Sequence, residues 1–286
     1  MKLYLRILPG IVILATLASA GLARPKAKPC ELSPLGKVTG GSQRRTLSCQ
    51  IGKDKREALV FAPSLGTNLP VIFAWHGHGG TMQGAAQQMH LQTLWPEAIV
   101  VYSQGRDTPT GHDLEGDGAG WQKETNQVGD RDLKFFDAML ATLRQNFSVD
   151  DARIYTTGFS NGTGFSYLLW VERGDKLAAI GAVAGILAES ERTKLSQPRA
   201  LIAIGPDPGQ GTPQGPVQDT IERARQVNNA TGPGQPCPIP TGATDCDLYP
   251  STTHTPVKQI SHTLGHVYPP WAPDEIVKFF KNHKKT

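Results

Sequence analysis

Gly158-Phe159-Ser160-Asn161-Gly162, a G-x-S-x-G, constrains this chain more than any other stretch. Residues 153–157, Arg-Ile-Tyr-Thr-Thr, are rich in β-branched and aromatic side chains and read as a short buried strand. Beyond the motif, Phe165, Leu168, Leu169 and Val171 recur at roughly helical spacing. A strand that turns through one serine directly into a helix holds that serine in a strained conformation at the tip. The flanking residues must then be small, because strand and helix approach closely, and Gly158 and Gly162 meet that need. The N–H of Asn161 falls at the helix start, where it can face a developing oxyanion. A glycine-rich turn with an incidental serine is the bland alternative, and the flanking strand and helix patterns argue against it.

The rest of the chain alternates in the same way. Strands are expected over 57–63, 70–75, 98–102, 177–183, 199–204 and 257–261, and helices over 83–94, 132–147, 221–227 and 274–282. Residues 21–50 read as a loose polar segment with one early strand, and 104–129, 205–216 and 231–250 read as loops. This alternation predicts an α/β architecture, a mostly parallel central sheet covered by helices on both faces. No internal repeat or second domain is visible, so residues 21–286 are expected to form one domain.

Residues 1–20 stand apart. Lys2 and Arg6 precede an apolar run from Ile7 to Leu17, and Ala18-Ser19-Ala20 offers an A-x-A cleavage site, the pattern of a secretory signal peptide. The apolar run is shorter than the ~20 residues that span a bilayer. A secreted protein, extracellular or periplasmic, is expected, with no membrane partner once the leader is removed. Without Lys2 and Arg6 the 29 basic residues become 27 against 25 acidic, a balance that gives no reason to expect nucleic acid. Four cysteines in an exported chain suggest disulfides, and the local pairs Cys30–Cys49 and Cys237–Cys246 each close a short loop. No C-x-x-C occurs to suggest a zinc knuckle or a redox site.

A serine hydroxyl near neutral pH needs a base within hydrogen-bond reach, and the base needs an orienting acid. In the α/β-hydrolase fold these follow in the order Ser, acid, His. His266 comes after a glycine, beyond the last expected strand and ahead of the closing helix, where that fold places its base. His254, His262 and His283 are the other histidines after Ser160. Asp207, in Gly205-Pro206-Asp207, lies at the C-terminal end of a strand, where open α/β sheets build sites. Asp219 is its rival, although it starts a helix and reads equally as a cap, and Asp245 and Asp247 lie in the cysteine-bracketed loop. A second oxyanion donor is expected from His76-Gly77-His78-Gly79-Gly80, whose glycines free backbone N–H groups, with the N–H of His78 the choice. His76 and His78 also form an H-x-H, a weak metal signal with no further ligand at suitable spacing. No metal or organic cofactor is expected.

These segments now carry a resemblance. FAWHGHGG, LWPEAIVVYSQG, Gly120-Trp121-Gln122, GDRDLKFFDAML, RIYTTGFSNGTGFSYLLW and GHVYP recur in this order between about Arg56 and His283. They resemble the secreted esterases known as polyhydroxybutyrate depolymerases or feruloyl esterases, which are related to the carbohydrate esterases that include acetylxylan esterases. The resemblance implies an α/β-hydrolase with Ser160 as nucleophile, His266 as base and Asp207 as acid. It also implies a serine carboxylic-ester hydrolase acting on polyhydroxyalkanoate-type polyesters or on feruloyl or acetyl esters of plant polysaccharide. Trp121 is expected to contact substrate, and a monomer is expected. The chain departs from the family at Ser160-Asn161-Gly162-Thr163, where S-N-G-G is usual, and at Gly205-Pro206-Asp207-Pro208, one residue shorter than the usual G-x-x-D-P. The shortened acid loop is the one feature that favours a secreted binding protein with an impaired triad. A serine peptidase would share the triad, but no peptidase-specific feature accompanies it.

Overall fold

The computed structural model describes residues 30–34, 42–207 and 214–285, so the expected leader at 1–20 lies outside the described residues. The strands are β1 (Glu31–Leu32), β2 (Ser42–Ile51), β3 (Asp54–Pro63), β4 (Leu69–Trp75), β5 (Ile99–Ser103), β6 (Arg106–Asp107), β7 (Ala119–Gly120), β8 (Val149–Phe159), β9 (Ala179–Val183), β10 (Ala200–Pro206), β11 (Gln235–Pro236), β12 (Asp245–Tyr249) and β13 (Val257–His262). The helices are α1 (Met82–Met89), α2 (Leu91–Leu94), α3 (Arg131–Asn146), α4 (Asn161–Arg173), α5 (Glu189–Arg192), α6 (Gln214–Val227) and α7 (Ala272–Lys281).

All strands except β6 and β7 join one sheet, in the order β1-β2-β3-β5-β4-β8-β9-β10-β13-β12-β11. The neighbours from β5 through β13 are parallel, and the antiparallel strands occupy the two flanks. β4 is buried along its whole length, as a central parallel strand covered on both faces must be. Alternate residues divide between two cores. Phe73, Trp75, Val101 and Ile180 pack with α3, α4 and α6 on one face. Ile72, Ala74, Val100 and Ile202 pack with α1, α2 and α7 on the other. Among the described residues no helix is long and apolar enough to cross a membrane. Both expected disulfides, Cys30–Cys49 and Cys237–Cys246, are formed.

Several elements differ from the sequence expectation, among them α6, which begins at Gln214 inside a stretch expected as loop. The helix expected over 83–94 breaks at His90, whose φ of 33° ends α1 and restarts the chain as α2. The stretch 231–250 contains β11 and β12, because β12 pairs antiparallel with β13 from Asp245↔Ser261 to Tyr249↔Val257. The long loop 104–129 is anchored by the small β6–β7 pair and by a buried polar knot. In that knot Arg56 Nη1 donates to Asp132 Oδ1 at 2.8 Å with both side chains almost wholly buried, and Asp132 Oδ2 accepts from the Gln122 N–H at 2.9 Å.

Two stability measurements test this packing. A Cβ on Gly162 would lie 2.3 Å from the Trp75 carbonyl oxygen, a collision with backbone, so Gly162→Ala is expected to lose at least about 3 kcal/mol in urea unfolding. Asp132→Ala strands the buried Arg56 charge, and a loss of about 3–5 kcal/mol is expected in the same assay. A change under about 1 kcal/mol in either variant would refute the corresponding contact.

Candidate active site

β4, β8, β10 and β13 are parallel, so their C-terminal ends lie at one edge of the sheet. The chain leaves β8 through Ser160 and enters α4 at once, as the G-x-S-x-G predicts. Ser160 has φ 53° and ψ −115°, a sparsely populated conformation for a residue with a side chain. Its N–H donates to Val183 O at 2.9 Å, and its own carbonyl accepts from the N–H groups of Thr163 and Gly164. The Thr163 hydroxyl sits 2.7 Å from both Gly158 O and Val183 O and accepts from Val183 N at 3.0 Å. Where S-N-G-G would place a glycine, this threonine therefore pins both ends of the turn to β9.

The loop after β13 brings His266 back to the serine, with Nε2 2.9 Å from Ser160 Oγ. The Phe159 ring lies 5.3 Å from the imidazole, centroid to centroid. Partial burial, and next the positive field of His112, push the His266 pKa below its ordinary 6.5.

Asp207 follows the last residue of β10. Its N–H donates to His262 O at 2.8 Å, and its Oδ1 accepts from the Thr244 hydroxyl at 2.7 Å. His262 and His266 belong to one segment, so the β10–β13 register, which pairs Pro206 with His262, puts Asp207 at the root of the loop that carries His266. The rival Asp219 lies elsewhere, in an ion pair with Arg192 at 2.7 Å on α6. Asp245 caps the Cys246 N–H, and Asp247 faces Gly234. His262 is fully buried, with Nδ1 accepting from Leu264 N, and His283 bonds Phe279 O.

The turn after β4 lies against the serine turn. The N–H groups of Gly79 and Gly80 are committed to Ala119 O and Gly77 O. His76 accepts from Gly105 N at Nε2, so its proton sits on Nδ1 and donates to Gly77 O at 2.7 Å. Burial holds its pKa below 6.5, and both ring nitrogens are used in fixing the turn rather than left for a metal. His78 Nε2 pairs with Asp113 Oδ2 at 2.7 Å. The N–H of Asn161, in the first turn of α4, has no intrahelical acceptor.

Trp121 does not meet the expectation that it contacts substrate. Its side chain is 0% exposed, packed against Trp75 and Phe165, with Nε1 donating to His76 O at 2.9 Å. Both backbone groups of Trp121 are held by the Asn161 side chain, N to Oδ1 at 2.7 Å and Nδ2 to O at 3.0 Å. A tryptophan in a glycine-rich loop reads as a binding residue until its burial is known.

Two residues escaped the sequence reading. Asp113 gathers the N–H groups of Gly116, Asp117 and Gly118 as well as His78, and these bonds, led by that of Gly118, hold its pKa down at about 2. Thr244 reaches Asp207 from the Cys237–Cys246 loop. The Asp-x-x-Gly-x-Gly pattern at 113–118 was a usable signal for a carboxylate-centred turn, whereas nothing local marks Thr244.

No family model matches the chain. Feruloyl esterase D of Neurospora crassa is 28% identical over 189 residues, 61% of this chain and 59% of that protein, so the chain spans less than two thirds of this relative's length. Feruloyl esterase C of Emericella nidulans is 28% identical over 224 residues, covering 73% of this chain and 77% of the relative. Among solved structures, the acetyl xylan esterase from Aspergillus awamori superposes with a TM-score of 0.60 at 14% identity, covering 79% of this chain and 94% of that one. The chain thus shares its fold with the solved acetyl xylan esterase and is similar in sequence to feruloyl esterases.

Proposed function

We propose that this chain is a secreted serine esterase that hydrolyses feruloyl or acetyl esters of plant polysaccharide through an acyl-enzyme. The observation that carries the reading is the 2.9 Å approach of His266 Nε2 to the hydroxyl of Ser160, on a serine held in a strained turn. The substrate class comes from relatives named as feruloyl esterases. The two disulfides favour export, with residues 1–20 removed as a leader and the remainder acting as one catalytic unit and as a monomer.

Ser160 Oγ attacks the ester carbonyl while His266 Nε2 takes its proton. The N–H groups of Asn161 and His78 receive the charge that develops on the carbonyl oxygen, and one such donor is worth on the order of 3 kcal/mol in related chemistry. As the tetrahedral intermediate collapses, His266 returns the proton to the leaving alcohol and the acyl group stays on Ser160. Water, deprotonated by the same imidazole, then releases the acid. Asp207 orients His266 and stabilises its imidazolium form.

Hydrolysis of p-nitrophenyl acetate is expected for the wild type. Ser160→Ala and His266→Ala each lose at least about 10³-fold in kcat while the fold is retained. Asp207→Asn costs less than either, because it disturbs orientation and leaves the nucleophile in place. Full activity in Ser160→Ala ends the serine-esterase reading, and an inert wild type favours a binding protein. Side by side, methyl ferulate, acetylated xylan, poly(3-hydroxybutyrate) and a casein digest separate plant esters from polyester and peptide, and turnover of the polyester alone would move the substrate assignment.

The pH dependence follows from His266, which must be neutral to act as base. With its pKa pushed below 6.5, kcat/KM is expected to fall to half its plateau at a pH below 6.5. His112→Ala removes a neighbouring positive charge, so the acid limb moves to higher pH. A limb that stays in place or moves down would exclude His112 from the field at the base.

A further inference from the structure

We propose that Thr244 is a positioning residue for the acid of the triad, an inference that rests on the assignment of Asp207 to that role. Thr244 lies outside the strand ends that build the rest of the site. It sits in the loop closed by the Cys237–Cys246 disulfide, two positions before Cys246, and Cys237 N donates to Cys246 O at 2.9 Å across the base of that loop. Its backbone is fixed independently, since Thr244 N donates to Ser261 O at 2.8 Å on β13. Its hydroxyl donates to Asp207 Oδ1 at 2.7 Å, across 37 residues of sequence.

Asp207 is therefore gripped twice by the same strand. The main chain of β13 takes its N–H directly, through His262 O at 2.8 Å. The carboxylate is taken indirectly, through a threonine that is itself bonded to β13 one residue earlier. The backbone bond fixes where the carboxylate starts, and the hydroxyl on Oδ1 restrains its rotation. The disulfide-closed segment thus restrains the carboxylate from outside the strand that carries it. This makes β11, β12 and the second disulfide part of the catalytic arrangement rather than an edge decoration.

The test separates the hydroxyl from the shape of the side chain. Thr244→Val keeps the shape and removes the donor, and it is expected to lower kcat roughly tenfold with KM and unfolding midpoint unchanged. Thr244→Ser keeps the donor and is expected to stay within about twofold of wild type. In an Asp207→Asn background, Thr244→Val is expected to add less than about twofold, because the group it positions has already been altered. Thr244→Ala reads the same loss of the donor should the valine variant be destabilised. Wild-type kcat in Thr244→Val beside an impaired Asp207→Asn overturns the inference and leaves Asp207 as the acid. Equal losses in the serine and valine variants also overturn it, by assigning the effect to packing. Wild-type turnover in Asp207→Asn alone removes the acid assignment and this inference with it.

Discussion

Everything at the candidate site depends on how closely α4 presses on the end of β4. A side chain on Gly162 would stand 2.3 Å from Trp75 O and 2.6 Å from His76 O, and one on Gly158 would stand 2.3 Å from the Gly162 carbonyl. That approach places Ser160, the first-turn N–H groups of α4 and the turn after β4 within one small volume. The strain at Ser160 costs on the order of 1–3 kcal/mol. Phe165, Leu168, Leu169 and Trp170 of α4 are all at most 1% exposed, and burying each is worth roughly 1.5–3 kcal/mol. The helix can therefore sustain a strained first residue, and Thr163, bridging Gly158 and Val183, keeps that residue from relaxing.

A second layer of polar contacts holds the long loop that forms one wall of the site. Arg56 and Asp132 pair in the interior, with the Arg56 guanidinium also 4.4 Å over the Phe135 ring and Nη2 on Gln104 O. The Gln122 side chain completes the knot by accepting from Asp132 N and donating to Asp130 and Glu124 O. A buried ion pair is a weak source of net stability, because desolvation opposes the attraction. Its value here is geometric: it fixes Gln122, and with it Trp121, whose backbone holds the Asn161 amide. Under the proposed mechanism Asn161 would have two duties, its N–H serving the oxyanion while its side chain holds the Trp121 backbone.

The strand–turn–helix unit was legible because it is local. Glycines at 158 and 162, a β-branched run before them and an apolar face after them leave few other conformations for residues 153–171. The mostly parallel character of the sheet was legible from alternation, and so was the placement of His266 after the last strand. The two cysteine pairs were readable for the same reason, each closing its own short stretch.

What tertiary structure decided were the contacts between residues far apart in the chain. The burial of Trp121 depends on Trp75 and Phe165 arriving from β4 and α4, which no local pattern records. β12 exists because β13 offers it an unpaired edge, so a stretch of loop-like composition became a strand. Asp207 was preferred over Asp219 for its place at a strand end, and the sheet register sets Asp207 beside His262 while α6 carries Asp219 to Arg192. Sequence alone determined which groups could do ester chemistry, since that is a matter of residue type and local turn. The tertiary structure decided which side chains reach one another and which are buried, because those depend on sheet order and helix packing.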